Sequence, residues 1–260
     1  MLTIESPHND TFKRCQSLTT SKGLKEEGMF LLSGEKLIRE YLIHPNLEPQ
    51  FELMSPALPP LEAPGWTAKQ IQLSADLFKE IDVLGTHFNI LVLSQPKMGV
   101  LSEEGLAAHA PEGLEVVIPS GDPGNLGALI RSCEAFGVPR VFLTKEAAHP
   151  FLPKAVKASA GSMLRVPLIR GPALKAFPET CIALDMEGVP IDEFVWPENG
   201  MLIVGEEGGG FGHEGQSKKA FQRSIRIPTQ GVESLNVVVA ASLALALRQR
   251  AGPRAGPRAK

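Results

Sequence analysis

The stretch Met201-Leu-Ile-Val-Gly-Glu-Glu-Gly-Gly-Gly-Phe-Gly-His-Glu-Gly215 joins an apolar run to adjacent carboxylates, Glu206 and Glu207, and a dense set of glycines. Gly210, Gly212 and Gly215 match the G-x-G-x-x-G spacing of dinucleotide-binding loops, in which glycines bring backbone N–H groups against a pyrophosphate. Lys218–Phe221 has helical character, and Glu233 stands about twenty residues on, where such folds place a ribose-binding acid. Three features oppose that chemistry. Too little chain follows Gly215 to complete a dinucleotide-binding fold, which normally carries this loop after its first strand. The two carboxylates put negative charge where phosphate would sit. A run this rich in glycine also meets a loose spacing by chance. The alternative is a backbone surface open to close approach at the carboxyl end of a strand, with a carboxylate beside it. That arrangement suits a positively charged or hydroxyl-bearing ligand.

The elements that must position this stretch alternate along the chain. Leu114–Ile118, Arg140–Thr144, Cys181–Leu184, Met201–Val204 and Ser224–Ile227 read as apolar strands separated by helical segments, which predicts a parallel sheet covered on both faces. Leu126, Leu129, Ile130, Cys133 and Phe136 fall on one helical face over Asn125–Gly137, with Asn125 as the expected cap and Gly137 as the stop. The last helix, Ser234–Leu247, is apolar nearly all round and predicts cover by a second subunit. Ahead of residue 96, strands at Met29–Leu32 and Phe88–Leu93 and helices over Ser33–Ile43 and Ser74–Ile81 flank a proline-rich stretch at 45–64 and form a small α/β unit. The predicted division is a first domain at 1–95, a linker at 96–113, a second domain at 114–250 and a tail at 251–260.

Composition narrows the class. Of the 260 residues, 43% are hydrophobic and 21% charged, the range of folded globular chains. Cys15, Cys133 and Cys181 form no C-x-x-C pair, so neither a disulfide framework nor a metal site is expected. With no basic, apolar leader and no long apolar run, the reading is a cytoplasmic protein without a membrane segment. The net charge is -3, yet residues 248–260 hold Arg248, Arg250, Arg254, Arg258 and Lys260 with no acid. This tail reads as a solvated, disordered end, with a phosphate-seeking extension as the alternative.

Three stretches stand in order: Asp122-Pro-Gly-Asn-Leu-Gly-Ala-Leu-Ile-Arg131 with Ala135-Phe-Gly137, Ile203-Val-Gly-Glu-Glu-Gly-Gly-Gly-Phe211, and Ile227-Pro-Thr-Gln-Gly-Val-Glu-Ser-Leu-Asn-Val-Val-Val-Ala240. They resemble the three signature motifs of the SPOUT superfamily, and within it the SpoU (TrmH-like) RNA ribose 2′-O-methyltransferases. The first domain looks like the RNA-substrate-binding domain often attached to such enzymes. The resemblance implies an α/β fold in which a parallel-sheet SPOUT domain with a C-terminal trefoil knot follows a small α/β domain. It implies a homodimer, S-adenosyl-L-methionine as cofactor, no metal, and ribosomal or transfer RNA as substrate.

By the same resemblance the cofactor contacts fall on Gly205, Ile227 and Leu235, and the catalytic polar residues on Asn125, Arg131, Glu207, Ser234 and Asn236. Glu207 is preferred over Glu206 because the family's glutamate follows its glycine with one residue between. Three of these have purely structural alternatives: Asn125 as a helix cap, Arg131 in a surface ion pair, Asn236 as a satisfied buried amide. Methyl transfer is an in-line displacement at a sulfonium methyl, so the protein's tasks are positioning and relieving a weakly acidic hydroxyl of its proton. The resemblance has Arg131 act on that hydroxyl with an RNA phosphate as partner, because an arginine alone is a poor base. Asn125, Glu207 and Asn236 would orient the arginine, ribose and cofactor. Two other functions fit the chain less well: a catalytically silent RNA-binding relative, and a dinucleotide-dependent oxidoreductase.

Overall fold

The computed structural model describes residues 2–63, 66, 68–205 and 221–252. The chain runs β1 (Leu2–Ile4), α1 (Asp10–Ser17), α2 (Ser21–Glu27), β2 (Met29–Leu32), α3 (Glu35–Ile43), β3 (Pro49–Met54), β4 (Lys69–Leu73), α4 (Ala75–Ile81) and β5 (Ile90–Ser94). It continues through β6 (Gly99–Val100), α5 (Glu103–Ala107), β7 (Leu114–Ile118), α6 (Pro123–Ala135), β8 (Val141–Leu143), α7 (Pro153–Ser159), β9 (Leu168–Arg170), β10 (Ile182–Pro190), β11 (Gly200–Val204), β12 (Arg223–Arg226) and α8 (Val237–Ala251). Two compact units result: residues 1–97 with 149–161, and residues 98–148 with 162–260.

The first unit holds a five-stranded sheet in the order β1-β4-β3-β5-β2, parallel at the β1 edge and antiparallel at the β2 edge. The proline-rich segment contains β3 and continues into the loop before β4, and a buried carboxylate organises that loop. Glu52, fully buried on β3, accepts hydrogen bonds from Leu61 N (2.7 Å), Asn89 Nδ2 (2.9 Å) and Trp66 Nε1 (3.1 Å). A carboxylate so enclosed is tolerable because its oxygens are met by donors. The polar stretch before Met29 is helical in part: Thr20 caps α2 and Gly28, at φ 63°, ends it. Residues 149–161 bring α7 to this unit, and Phe151 packs on Phe30 with ring centroids 4.9 Å apart.

The second unit is a seven-stranded sheet in the order β12-β10-β11-β7-β8-β9-β6, with every neighbouring pair parallel. Its central strands β7, β8 and β11 are buried almost throughout, as continuous apolar runs between two covered faces must be. Residues 96–113, read above as a linker, contain β6, which pairs with β9 at the sheet edge, and α5, capped by the Ser102 hydroxyl. Glu115 is the exception within β7. It is fully buried, with its carboxylate 2.6 Å from His109 Nε2 and 2.6 Å from Arg140 Nε. The three cysteines are free and buried, and burial pushes the Cys15 and Cys133 thiols up to about 12.

Candidate active site

The first motif folds into the β7–α6 turn. Asp122 caps α6, accepting a hydrogen bond from Asn125 N at 2.8 Å, and Pro123 occupies the first turn, where its missing N–H costs nothing. The cap is therefore Asp122, not Asn125 as the spacing suggested. Two oxygen-bearing residues three apart both satisfy the capping rule, and the one ahead of the proline takes the role. Asn125 sits one turn inside, half-buried, and its carboxamide makes no hydrogen bond among the described residues. Helix α6 ends at Ala135, with Gly137 beyond it in the left-handed region at φ 67°. Arg131 is exposed and forms no ion pair among the described residues.

The second motif and the start of the third meet at the carboxyl end of the sheet. Val204 of β11 and Ile225 of β12 both lie opposite Leu184 of β10. Gly205 and Ile227, just beyond them, are both half-buried and leave the same sheet end two strands apart, roughly 10 Å by strand spacing. Between them β10 bulges: Leu184 and then Val189 pair with Ile225, so 185–188 leave the ladder and return. Gly188 permits that return. A Cβ on it would stand 2.4 Å from Ile225 N and 2.5 Å from Ser224 C. Nothing in the spacing of the motifs pointed to this residue.

In the third motif Asn236 is exposed and caps α8, its Oδ1 accepting from Val238 N at 2.9 Å, so it is no buried amide. Ser234 is exposed and Leu235 half-buried. Helix α8 packs on α6, joined by a 2.7 Å bond between the Ser132 and Ser242 hydroxyls. The two helices run the same way. Their ends share an open groove of about 480 Å³ lined by Phe136 and Gly137 of the α6 terminus, Leu245, Arg248 and Gly252 of the α8 terminus, and Leu114 at the amino end of β7. Their amino-terminal turns, with Asn125 and Asn236, therefore lie toward the opposite, carboxyl end of the strands. Crevices at that end are where open parallel sheets bind ligands.

Six of the eight expected residues, Asn125, Gly205, Ile227, Ser234, Leu235 and Asn236, thus belong to turns at one end of the sheet, with Arg131 further along α6. The eighth, Glu207, lies outside the described residues, as do the glycines at 208–215. One ion pair on α6 escaped the motif reading. Glu134, one turn beyond Arg131, receives Arg165 Nε at 2.5 Å and Nη2 at 2.9 Å. The bond from Arg165 is the main reason its carboxyl lies below the usual glutamate range; partial burial opposes this and a Ser162 hydrogen bond supports it. The turns at this end of the sheet carry two carboxamides, a hydroxyl and the small or apolar residues Gly205, Ile227 and Leu235, while Arg131, without an ion-pair partner among the described residues, lies further along α6.

Among the described residues no group of three His, Cys, Asp or Glu side chains converges as a metal site would require, and no helix is long and apolar enough to cross a membrane. The family model described as the SpoU rRNA Methylase family matches residues 116–246. The chain is 36% identical over 262 residues to "Ribosomal RNA small subunit methyltransferase G 2" of Syntrophobacter fumaroxidans, a match that covers 96% of this chain and 49% of that protein. It thus spans about half the length of that relative. It is 29% identical over 256 residues to "23S rRNA (guanosine(2553)-2'-O)-methyltransferase RlmP" of Bacillus subtilis, covering 94% of this chain and 97% of the relative. The fold is shared with an AdoMet-bound rRNA methyltransferase from Sinorhizobium meliloti at a TM-score of 0.72, with 20% identity over 96% of this chain and 97% of the other.

Proposed function

The chain belongs to the SpoU rRNA methylase family, and from that premise we propose that it methylates a ribose 2′-hydroxyl of ribosomal or transfer RNA with S-adenosyl-L-methionine. The observation that carries the proposal is Arg131. It is exposed and free of any carboxylate partner among the described residues, on a helix that packs along α8, while the capping carboxylate of α6 is Asp122 and leaves Asn125 to other use. An acid three or four residues away on a helix attracts an exposed arginine. One without an acidic partner among the described residues suits an anionic ligand such as an RNA phosphate.

The residues present fit the cofactor. Gly205 adds no side chain at the carboxyl end of β11, and Ile227 and Leu235 are half-buried apolar groups able to take a flat adenine and a thioether stem. When bound, the cofactor supplies an electrophilic methyl on a sulfonium. The chain's own part is to hold the ribose in line with it and to favour the developing oxyanion. Arg131 serves this by anchoring the phosphate beside the hydroxyl, with its cation facing the negative charge. Asn125, Glu207, Ser234 and Asn236 orient ribose and cofactor by hydrogen bonds. Reaction at the 2′-oxygen also selects RNA over DNA.

The same reading includes a C-terminal trefoil knot, a cytoplasmic location and a homodimer. The dimer is supported by an apolar stripe on α8: Val239, Leu243 and Leu247, four residues apart, are 48%, 40% and 37% exposed. For the reaction, Arg131→Ala is expected to abolish methyl transfer to unmodified total RNA while leaving a folded protein that still binds S-adenosyl-L-methionine in calorimetry. The product is identified by an alkali-resistant linkage at the modified nucleotide. Wild-type turnover by Arg131→Ala would remove the proposed role.

A further inference from the structure

Helical geometry makes Glu134 the natural partner of Arg131. Residues three apart on an α-helix lie roughly 5–6 Å apart at Cβ, and an acid and an arginine so placed attract one another. The pairing does not occur here. Both Glu134 oxygens are taken by the Arg165 guanidinium in a two-pronged contact, at 2.5 and 2.9 Å, with Ser162 adding a hydrogen bond from the same turn. Arg165 follows the short 3₁₀ turn Ser162–Leu164, which packs on α6, so the competing cation arrives from a separate stretch of chain.

From this geometry we infer that Arg165 is a positioning residue, which holds the Glu134 carboxylate away from Arg131 and so keeps Arg131 available to the RNA. The inference rests on the role proposed for Arg131 above. The physical logic is competition. The Arg165 fork matches a carboxylate with two parallel N–H···O bonds, a better fit than a single arginine one helical turn away can make within the strain of its own helix. The ion pair is half-exposed, at 50% for Arg165 and 33% for Glu134, so its worth for folding is small. Its effect on Arg131 is a matter of populations. An unopposed surface pair at this spacing holds its two partners together in roughly half to two-thirds of molecules at low salt, and the Arg131 available to substrate falls in proportion.

The test compares Arg165→Gln, Glu134→Gln and the double variant with wild type and Arg131→Ala, in single-turnover methylation of unmodified RNA at low ionic strength. Arg165→Gln is expected to lose about two- to threefold in rate at subsaturating RNA, with cofactor affinity unchanged in calorimetry. The double variant should return toward the wild-type rate, because no carboxylate is left to capture Arg131. The Arg165→Gln deficit should also shrink as salt is raised, as expected for a screened pair. A double variant as slow as Arg165→Gln would mean that Arg165 touches the RNA itself and would overturn the inference. Equal losses in both single variants without recovery would mark the pair as a structural buttress and overturn it as well. Full activity in Arg131→Ala would instead remove the functional reading beneath it, an outcome read from a different protein sample.

Discussion

Gly188→Ala examines how the sheet shapes the crevice. Its φ lies outside the left-handed region, so any need for glycine at this position is steric. An added Cβ would lie 2.4 Å from Ile225 N, 2.5 Å from Ser224 C and 2.6 Å from Ile225 C, all of them backbone atoms that cannot rotate aside. Ordinary contact begins near 3.5 Å, so β10 and β12 must part by about 1 Å at this point. Strand β12 is at the sheet edge and yields outward, but Ile225 is fully buried and its packing is lost with the movement. Overpacking of this kind costs about 1–3 kcal/mol. The displacement also reaches Ile227, two residues on, where about 1 Å is enough to lower the rate by as much as 10²-fold. Equilibrium urea denaturation reads the first effect, and calorimetric titration with S-adenosyl-L-methionine together with single-turnover methylation reads the second. A Gly188→Ala protein within about 0.5 kcal/mol of wild type, with unchanged cofactor affinity and rate, would refute the claim that the β10 return is held by backbone contact.

Two further outcomes follow from buried charge and exposed apolar surface. Glu115→Ala leaves Arg140 and His109 facing an emptied site under the sheet, and should cost about 3 kcal/mol, or roughly 6–12 °C in the melting of the second unit; unchanged thermal melting would show that water replaces the carboxylate without loss. Leu243→Glu places a charge in the middle of the exposed α8 stripe and should convert a dimer to a monomer in sedimentation, whereas a monomeric wild-type protein would remove the dimer from the proposal.

The second unit was more legible than the first because its strands are buried on both faces. Leu114–Ile118 and Met201–Val204 are continuous apolar runs, and such runs carry their own boundaries. The amphipathic face of α6 was equally plain, though its cap was not: Asp122 and Asn125 both qualify, and only Pro123 at the first helical position separates them. In the first unit β3 was lost in a proline-rich stretch, and β4 follows the same loop. The loop between them is held by Glu52, a buried acid that composition counts as solvent-facing charge. Segment 96–113 read as a linker because β6 has only two residues and α5 five, too short for any period to register. Helix α7 was missed for the same reason, and its grouping with the first unit is a matter of long-range contact that no local pattern encodes.

The site divides along the same line. Asn125, Gly205, Ile227 and Asn236 were named by the resemblance of the three motifs and by no periodicity of their own, and the fold puts them at element ends. What could not be named were the contacts around Asn125 and Arg131. Asn125 is available because Asp122 caps the helix in its place. Arg131 is available while Arg165, thirty-one residues from Glu134, occupies the carboxylate that helical spacing assigns to it. Ser132 and Ser242, separated by 110 residues, tie the helix bearing Arg131 to the helix capped by Asn236. The last two are contacts between separate elements, which no local pattern encodes. On the proposed reading, the motifs supply the reacting groups and the competition for hydrogen bonds around them decides which stay available to a ligand.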